Sequence, residues 1–151
     1  MTDQKEITRV LGACSTLFLS FQDDPAPYVV PMFFGHEQGR LYVHCARRGT
    51  KLTLMGAHAQ VGFSAATAAE VIAGKDACAF TARANSVAGT GVARLVEDEE
   101  ERRHGLDLIM RHYAPGGTQG GFSYRESSLA RTSVIAVDIV RATAKRIGPA
   151  A

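Results

Sequence analysis

Residues 44–51 read HCARRGTK, which puts a histidine, a cysteine, two arginines, a glycine, a threonine and a lysine within eight positions. Residues of these types serve three chemistries: a metal corner, a cysteine–histidine nucleophilic pair, or a cradle for a phosphate. His44 and Cys45 are neighbours at the end of a hydrophobic strand pattern. Their side chains therefore leave opposite faces, and they cannot grip one ion or act as a nucleophile and its base without distortion. His36, His58, His104 and His112 are scattered, and Cys14, Cys45 and Cys78 contain no CxxC pair, so no metal site and no disulfide framework is expected. Alternation turns Cys45 inward with Leu41 and Val43, and sets His44 beside Tyr42 on the other face. Two polar-tipped rings there would suit the edge of a planar ligand, and His44 is the candidate catalytic residue.

The phosphate reading has most behind it. Arg47, Arg48 and Lys51 bring cationic donors, Gly49 permits a tight turn, and a helix opening with Thr50 as N-cap would point its first amides at whatever lies before it. A phosphomonoester, with close to two negative charges at neutral pH, matches that set. A solvated basic turn is the plain alternative, and the glycine and lysine spacing of a P-loop is absent.

The elements that must hold these residues follow from periodicity. Ile7, Val10, Leu11 and Cys14 fall on one face of a helix over about residues 4–13. The stretches 15–21 (STLFLSF), 28–34 (YVVPMFF) and 40–45 (RLYVHC) read as strands, separated by QDDPAP and the turn GHEQG. A helix is expected from Thr50 to His58, and a strand in QVGFSA. Between 65 and 91 the pattern is poor, with strand character in EVIA, ACAFTA and SVAGTGVARLVE. Residues 98–113 form the clearest helix, with Asp98 and Glu101 placed for a capping box and Leu106, Ile109, Met110 and Tyr113 on one face. A glycine-rich loop at 114–124 and a strand at 133–140 close the chain. Pro31 removes a ladder donor from an apolar strand, so that strand is bulged or lies on an edge.

Many short strands with few crossovers argue for a β-barrel with peripheral α-helices, in one domain spanning residues 1–151. A formal net charge of +2 is too small to suggest a nucleic-acid surface. No segment approaches the roughly 18 apolar residues needed to span a membrane, and MTDQKEITRV lacks the features of a signal peptide, so a cytoplasmic protein is expected.

The ordered set YVVPMFF, GHEQG, LYVHCARRGTK and NSVAGTGVARLVEDEEE, with the closing LARTSVIAVDIVRATAKR, resembles the pyridoxamine 5′-phosphate oxidase-like FMN-binding split barrels. Within them it is most similar to the branch of Nim-type 5-nitroimidazole reductases and flavin-nucleotide-binding proteins. The resemblance implies a mainly β fold: a six-stranded antiparallel split barrel, paired as a homodimer with FMN in two clefts between subunits. Val30, Pro31, Met32 and Phe33 would contact the flavin ring, partly through main-chain groups. His44, Cys45 and Ala46 would lie along the ribityl chain, and Thr50 and Lys51 would take the phosphate, with Arg47 or Arg48 assisting. Asn85, Ser86 and Val87 would approach from the partner's strand.

The implied activity is that of an FMN-dependent oxidoreductase, a flavin reductase or nitroreductase-like enzyme, with a donor such as NAD(P)H. A haem-binding split barrel and a non-enzymatic flavin carrier or sensor are the alternatives, and FAD, a deazaflavin or haem the alternative cofactors. Tyr113 and Lys145 are more distant candidates for proton transfer. The chain departs from true pyridoxamine phosphate oxidases, which are longer and hold substrate with a C-terminal segment bearing tryptophan, arginine and histidine; it has no tryptophan. Tyr28 and Phe33 replace the cationic residues that flank the flavin strand in those oxidases, which implies a more apolar pocket.

Overall fold

A computed structural model describes residues 3–114 and 121–149. The chain runs α1 (Gln4–Ala13), β1 (Leu17–Phe21), β2 (Tyr28–Met32), β3 (Phe34–Glu37), β4 (Arg40–Ala46), α2 (Thr50–Met55), β5 (His58–Ala66), β6 (Glu70–Ile72), β7 (Thr81–Leu95), α3 (Glu99–Tyr113), α4 (Glu126–Leu129) and β8 (Thr132–Ile147). The ladders are antiparallel in the order β2-β1-β5-β7-β8-β4-β3, with β6 paired to the start of β7. The two outermost strands, β2 and β3, are consecutive in the chain and separated only by Phe33. The sheet therefore curls until its edges meet at one residue without forming a ladder between them, as in a split barrel.

The expected fold class holds, but the sheet has eight strands and not six. YVVPMFF breaks at Phe33 because the chain leaves one edge of the sheet for the other. Gly35, His36 and Glu37 of the expected turn belong to β3, and the turn tightens to Gln38 and Gly39, which adopt positive φ of 40° and 81°. Residues 77–79 form a short 3-10 turn capped by Asp76, where a strand was expected from ACAFTA. β8 extends far beyond residue 140 because β7 offers partners as far as Ala84. Much of the glycine-rich loop, residues 115–120, lies outside the described residues.

Two cores result. Inside the barrel, Leu17, Leu19, Phe21, Leu41, Val43, Phe63, Val87, Ile135 and Val137 pack with the apolar face of α1. On the outer face of β4 and β8, Tyr42, Val134 and Ala136 pack against Leu106 and Ile109 of α3. This second contact is unusually close. A Cβ on Gly35 would fall 2.6 Å from the Ile109 backbone nitrogen, and one on Gly105 would fall 2.7 Å from Cδ1 of Tyr42. Two glycines thus let helix and sheet approach each other.

At the start of α3, Asp98 caps the helix by accepting the Glu101 N–H at 2.8 Å. The reciprocal half of the capping box does not form, because the Glu101 carboxylate is engaged elsewhere. It accepts both Arg94 amino groups at 3.0 and 2.7 Å, the Tyr42 hydroxyl at 3.1 Å and Arg40 at 3.3 Å. Asp138 pairs with Arg40 and lies 3.6 Å from Arg94. The bond from Arg94 holds the Glu101 carboxyl below its ordinary range.

Gly35→Ala should force α3 off β3 and cost about 1–3 kcal/mol, as other overpacking substitutions do, read as a fall in Tm by circular dichroism. A depressed carboxylate stabilises the fold above its unfolded pKa of about 4.3 and loses that contribution as pH falls through the folded value. Glu101→Gln should therefore lower Tm at neutral pH and flatten its decline between roughly pH 5 and pH 3.

Candidate functional site

β2 is an edge strand, so the main-chain groups on its side away from β1 pair with no other strand of the sheet. Its alternation sends Val30 and Met32 into the barrel core and leaves Val29 and Pro31 exposed. Of the four residues expected at a flavin ring, Pro31 and Phe33 present side chains outward, while Val30 and Met32 have only main-chain atoms to offer. Phe34 pairs with Val43. Val43 directly precedes His44, and the chain passes from the edge strand β2 through Phe33 into the partner of β4.

Tyr113, at the last turn of α3, secures the meeting point. Its hydroxyl donates to the Ser15 carbonyl at 2.9 Å and accepts the Phe34 N–H at 3.1 Å. Its ring meets that of Phe33 edge-on, with centroids 5.0 Å apart. The neighbouring His112 bonds through Nε2 to the Cys14 carbonyl at 2.7 Å and lies 5.8 Å, centroid to centroid, from the buried-side ring of His36. Tyr113 is therefore engaged in positioning the backbone, and burial raises its pKa.

The strand geometry of His44 and Cys45 is as expected, with one correction. Cys45 packs on the barrel core, where burial raises its thiol pKa against the opposing pull of the nearby Lys51 ammonium. Tyr42, however, is not part of an exposed surface with His44: α3 covers it, and its hydroxyl is bound to Glu101. Gly105 made that burial possible, and a single glycine in a helical pattern gave no warning of it. His44 instead faces a cavity of about 180 Å³ between α3, α4 and β8, walled mainly by apolar residues. Loss of hydration there holds its imidazole below the ordinary range.

After β4 the chain turns through Ala46, Arg47, Arg48 and Gly49, all exposed. Gly49, not Thr50, is the N-cap of α2, because its φ of 150° with ψ of 174° is a conformation open to glycine and strained for threonine. The helix is also shorter than expected and ends at Met55. None of Arg47, Arg48 and Lys51 makes an ion pair with a described residue. Arg47 lines a polar cavity of about 380 Å³ with Arg102, Thr132 and Ser133, to which Arg48 and Lys51 do not contribute.

Asn85, Ser86 and Val87 are not brought to the rest. They lie on β7, three strands from β2 across β1 and β5, or about 14 Å at the usual strand spacing. Val87 is fully buried, and Asn85 is tied through its backbone to Thr67. Lys145 lies opposite Ser86 on β8, eleven residues along that strand from Val134, the partner of His44. Among the described residues no group of three or more potential ligands could hold a metal ion, and no helix is long and apolar enough to cross a membrane.

Comparison with known proteins agrees with this fold. A family profile described as pyridoxamine 5′-phosphate oxidase matches residues 3–146. No curated protein matches the sequence. Among solved structures, a candidate 5-nitroimidazole antibiotic resistance protein from Bacteroides thetaiotaomicron is 30% identical with a TM-score of 0.81, over 98% of this chain and 86% of that one. A flavocytochrome from Azotobacter vinelandii is 21% identical with a TM-score of 0.81, over 99% of this chain and 69% of that one. An FAD and heme binding protein from Mycobacterium smegmatis is 20% identical with a TM-score of 0.81, over 99% and 73% of the two chains. The last two share the fold.

His44 supplies the direct check on this geometry. In a histidine-resolved NMR titration its midpoint should fall below the ordinary value of about 6.5, while substitution of Leu106 by a polar residue should move it back toward that value.

Proposed function

The chain belongs to the pyridoxamine 5′-phosphate oxidase family, and from that premise we propose that it is an FMN-binding oxidoreductase of flavin reductase or nitroreductase type, working as a homodimer. The observation that carries the reading is the cationic turn at the end of β4. Arg48 and Lys51, without carboxylate partners among the described residues, and the exposed Thr50 hydroxyl follow directly on β4, the strand that pairs with β3, which the chain enters from the free edge of β2 through Phe33. The donor set fits a phosphorylated flavin: ammonium, guanidinium and hydroxyl for the phosphate, main-chain groups of Val30 to Met32 for a ring edge, and the Pro31 and Phe33 side chains for its apolar surface.

Bound FMN would supply the electron transfer, from a donor such as NAD(P)H to a small-molecule acceptor. The protein's part is to bind, orient and shield. Lys51 and Thr50 would anchor one end of the cofactor. The pinned Phe33 and the stiff Pro31 would limit where its ring could lie. His44, largely neutral at pH 7, is the nearest side chain able to exchange a proton.

A second copy of the chain is supported by the outer face of β2, β1 and β5. Phe18 and Val29 are 47% and 56% exposed and sit among Pro31, Ser20, Gly62 and Ser64 on the outward rows of the ladders, and Phe33, just past the end of β2, is 63% exposed. A flat face of small and apolar side chains is better covered than hydrated. Such a dimer is also the way for the Asn85 and Ser86 of one subunit to approach the Phe33 of the other.

Purified protein should carry or take up FMN and show broad flavin absorption bands, where a haem protein would show a sharp Soret band. Lys51→Ala should weaken FMN by roughly 10- to 150-fold, the loss of one charge-assisted contact, and leave riboflavin unchanged, because riboflavin has no phosphate. Equal weakening of both would mean that the turn is structural, and protein that takes up no FMN would end the proposal.

A further inference from the structure

One hydroxyl stands where the two edges of the sheet meet. We propose, resting on the flavin reading above, that Tyr113 is a positioning residue for the flavin ring: its hydroxyl pins the crossing from β2 to β3 and so fixes the Phe33 ring at the end of the β2 edge.

Phe33 belongs to neither ladder, because β2 ends at Met32 and β3 begins at Phe34. Its ring is largely exposed. What holds it comes from the last turn of α3. The Tyr113 hydroxyl accepts the Phe34 N–H and donates to the Ser15 carbonyl, at 3.1 and 2.9 Å. Phe34 opens β3, one edge of the sheet. Ser15 lies two residues before Leu17 of β1, whose partner Met32 ends the other edge strand. A single O–H therefore bridges the split at the point where no ladder joins β2 to β3.

The same residue also holds the Phe33 side chain. The edge-on contact with Tyr113, centroids 5.0 Å apart, is the one aromatic contact of Phe33 among the described residues. The pin is itself fixed: His112 donates from Nε2 to the Cys14 carbonyl at 2.7 Å, so two successive side chains of α3 hold two successive carbonyls. Burial raises the phenol pKa, which keeps the O–H available to donate at neutral pH.

Such a pin moves an ordering cost from binding to folding. Phe33 and the crossing are set before a ligand arrives. Without the hydroxyl, ordering them falls on the binding step. The cost lies on the ring side, so riboflavin and FMN should feel it alike, unlike the loss expected at Lys51.

The test titrates the full chain with FMN and with riboflavin, and records the visible circular dichroism of each bound flavin at saturation. Tyr113→Phe keeps the ring and removes only the two hydrogen bonds; far-UV circular dichroism checks that it is folded. It should weaken both flavins by a common factor of roughly 2 to 12, the cost of ordering one side chain on binding, and change the dichroism of the bound flavin. In the flavin-free protein its Phe34 amide should exchange faster with solvent deuterium. Glu101→Gln loosens the other end of the same helix and should leave flavin affinity and dichroism at wild-type values, so a loss of stability alone cannot imitate the pin. The proposal is overturned if Tyr113→Phe leaves affinity and dichroism unchanged, if it weakens FMN alone, if Phe34 exchange is unaltered, or if Glu101→Gln has the same effects. Wild-type protein that takes up neither flavin ends the flavin reading and this one with it. Wild-type protein that binds flavin just as Tyr113→Phe does ends this one alone.

Discussion

The close approach of α3 to the outer face of β3 and β4 is the contact on which the rest of the site depends. Gly35 and Gly105 carry no side chain at the two places where helix and sheet nearly touch. Because the helix can sit so low, Tyr42 is buried and its hydroxyl meets Glu101, while the far end of the helix brings Tyr113 onto Phe33 and Phe34. The cavity at His44 is the space left between this low-lying helix, α4 and β8. A helix held even a little higher would break these contacts together.

The charges around Glu101 reinforce the same seat. One carboxylate receives Arg94 in a two-point contact and also receives Tyr42 and Arg40, so residues of β4, β7 and α3 converge on it. A pair of this geometry is worth more than an isolated surface ion pair, because several partly buried groups share the cost of ordering. It also explains why the capping box is only half made: a carboxylate with three cationic or hydroxyl donors has no lone pair to spare for the Asp98 amide.

The cationic turn and the apolar cavity meet opposite faces of one strand. Cys45, facing inward, lies near Lys51, and His44, facing outward, meets the apolar cavity. A one-residue step along β4 therefore separates the core side, near the cationic turn, from the apolar cavity. Family membership bears on the cationic turn.

The amphipathic helix over 4–13, the strands around 15–21 and 40–45, the helix from Asp98 and the edge character marked by Pro31 were legible in the sequence, because each depends on a local period or a local backbone constraint. The opposition of His44 and Cys45 was legible for the same reason. The ordered resemblance made the split barrel and its family legible as well. The break at Phe33, the eighth strand, the burial of Tyr42 and the cavity beside His44 were not. Each depends on which distant segments come into contact: α3 with Gly35, β7 with β8 to its far end, α4 with β8. Periodicity shows which face of an element is apolar, but only the packed fold decides what covers that face and where a gap is left.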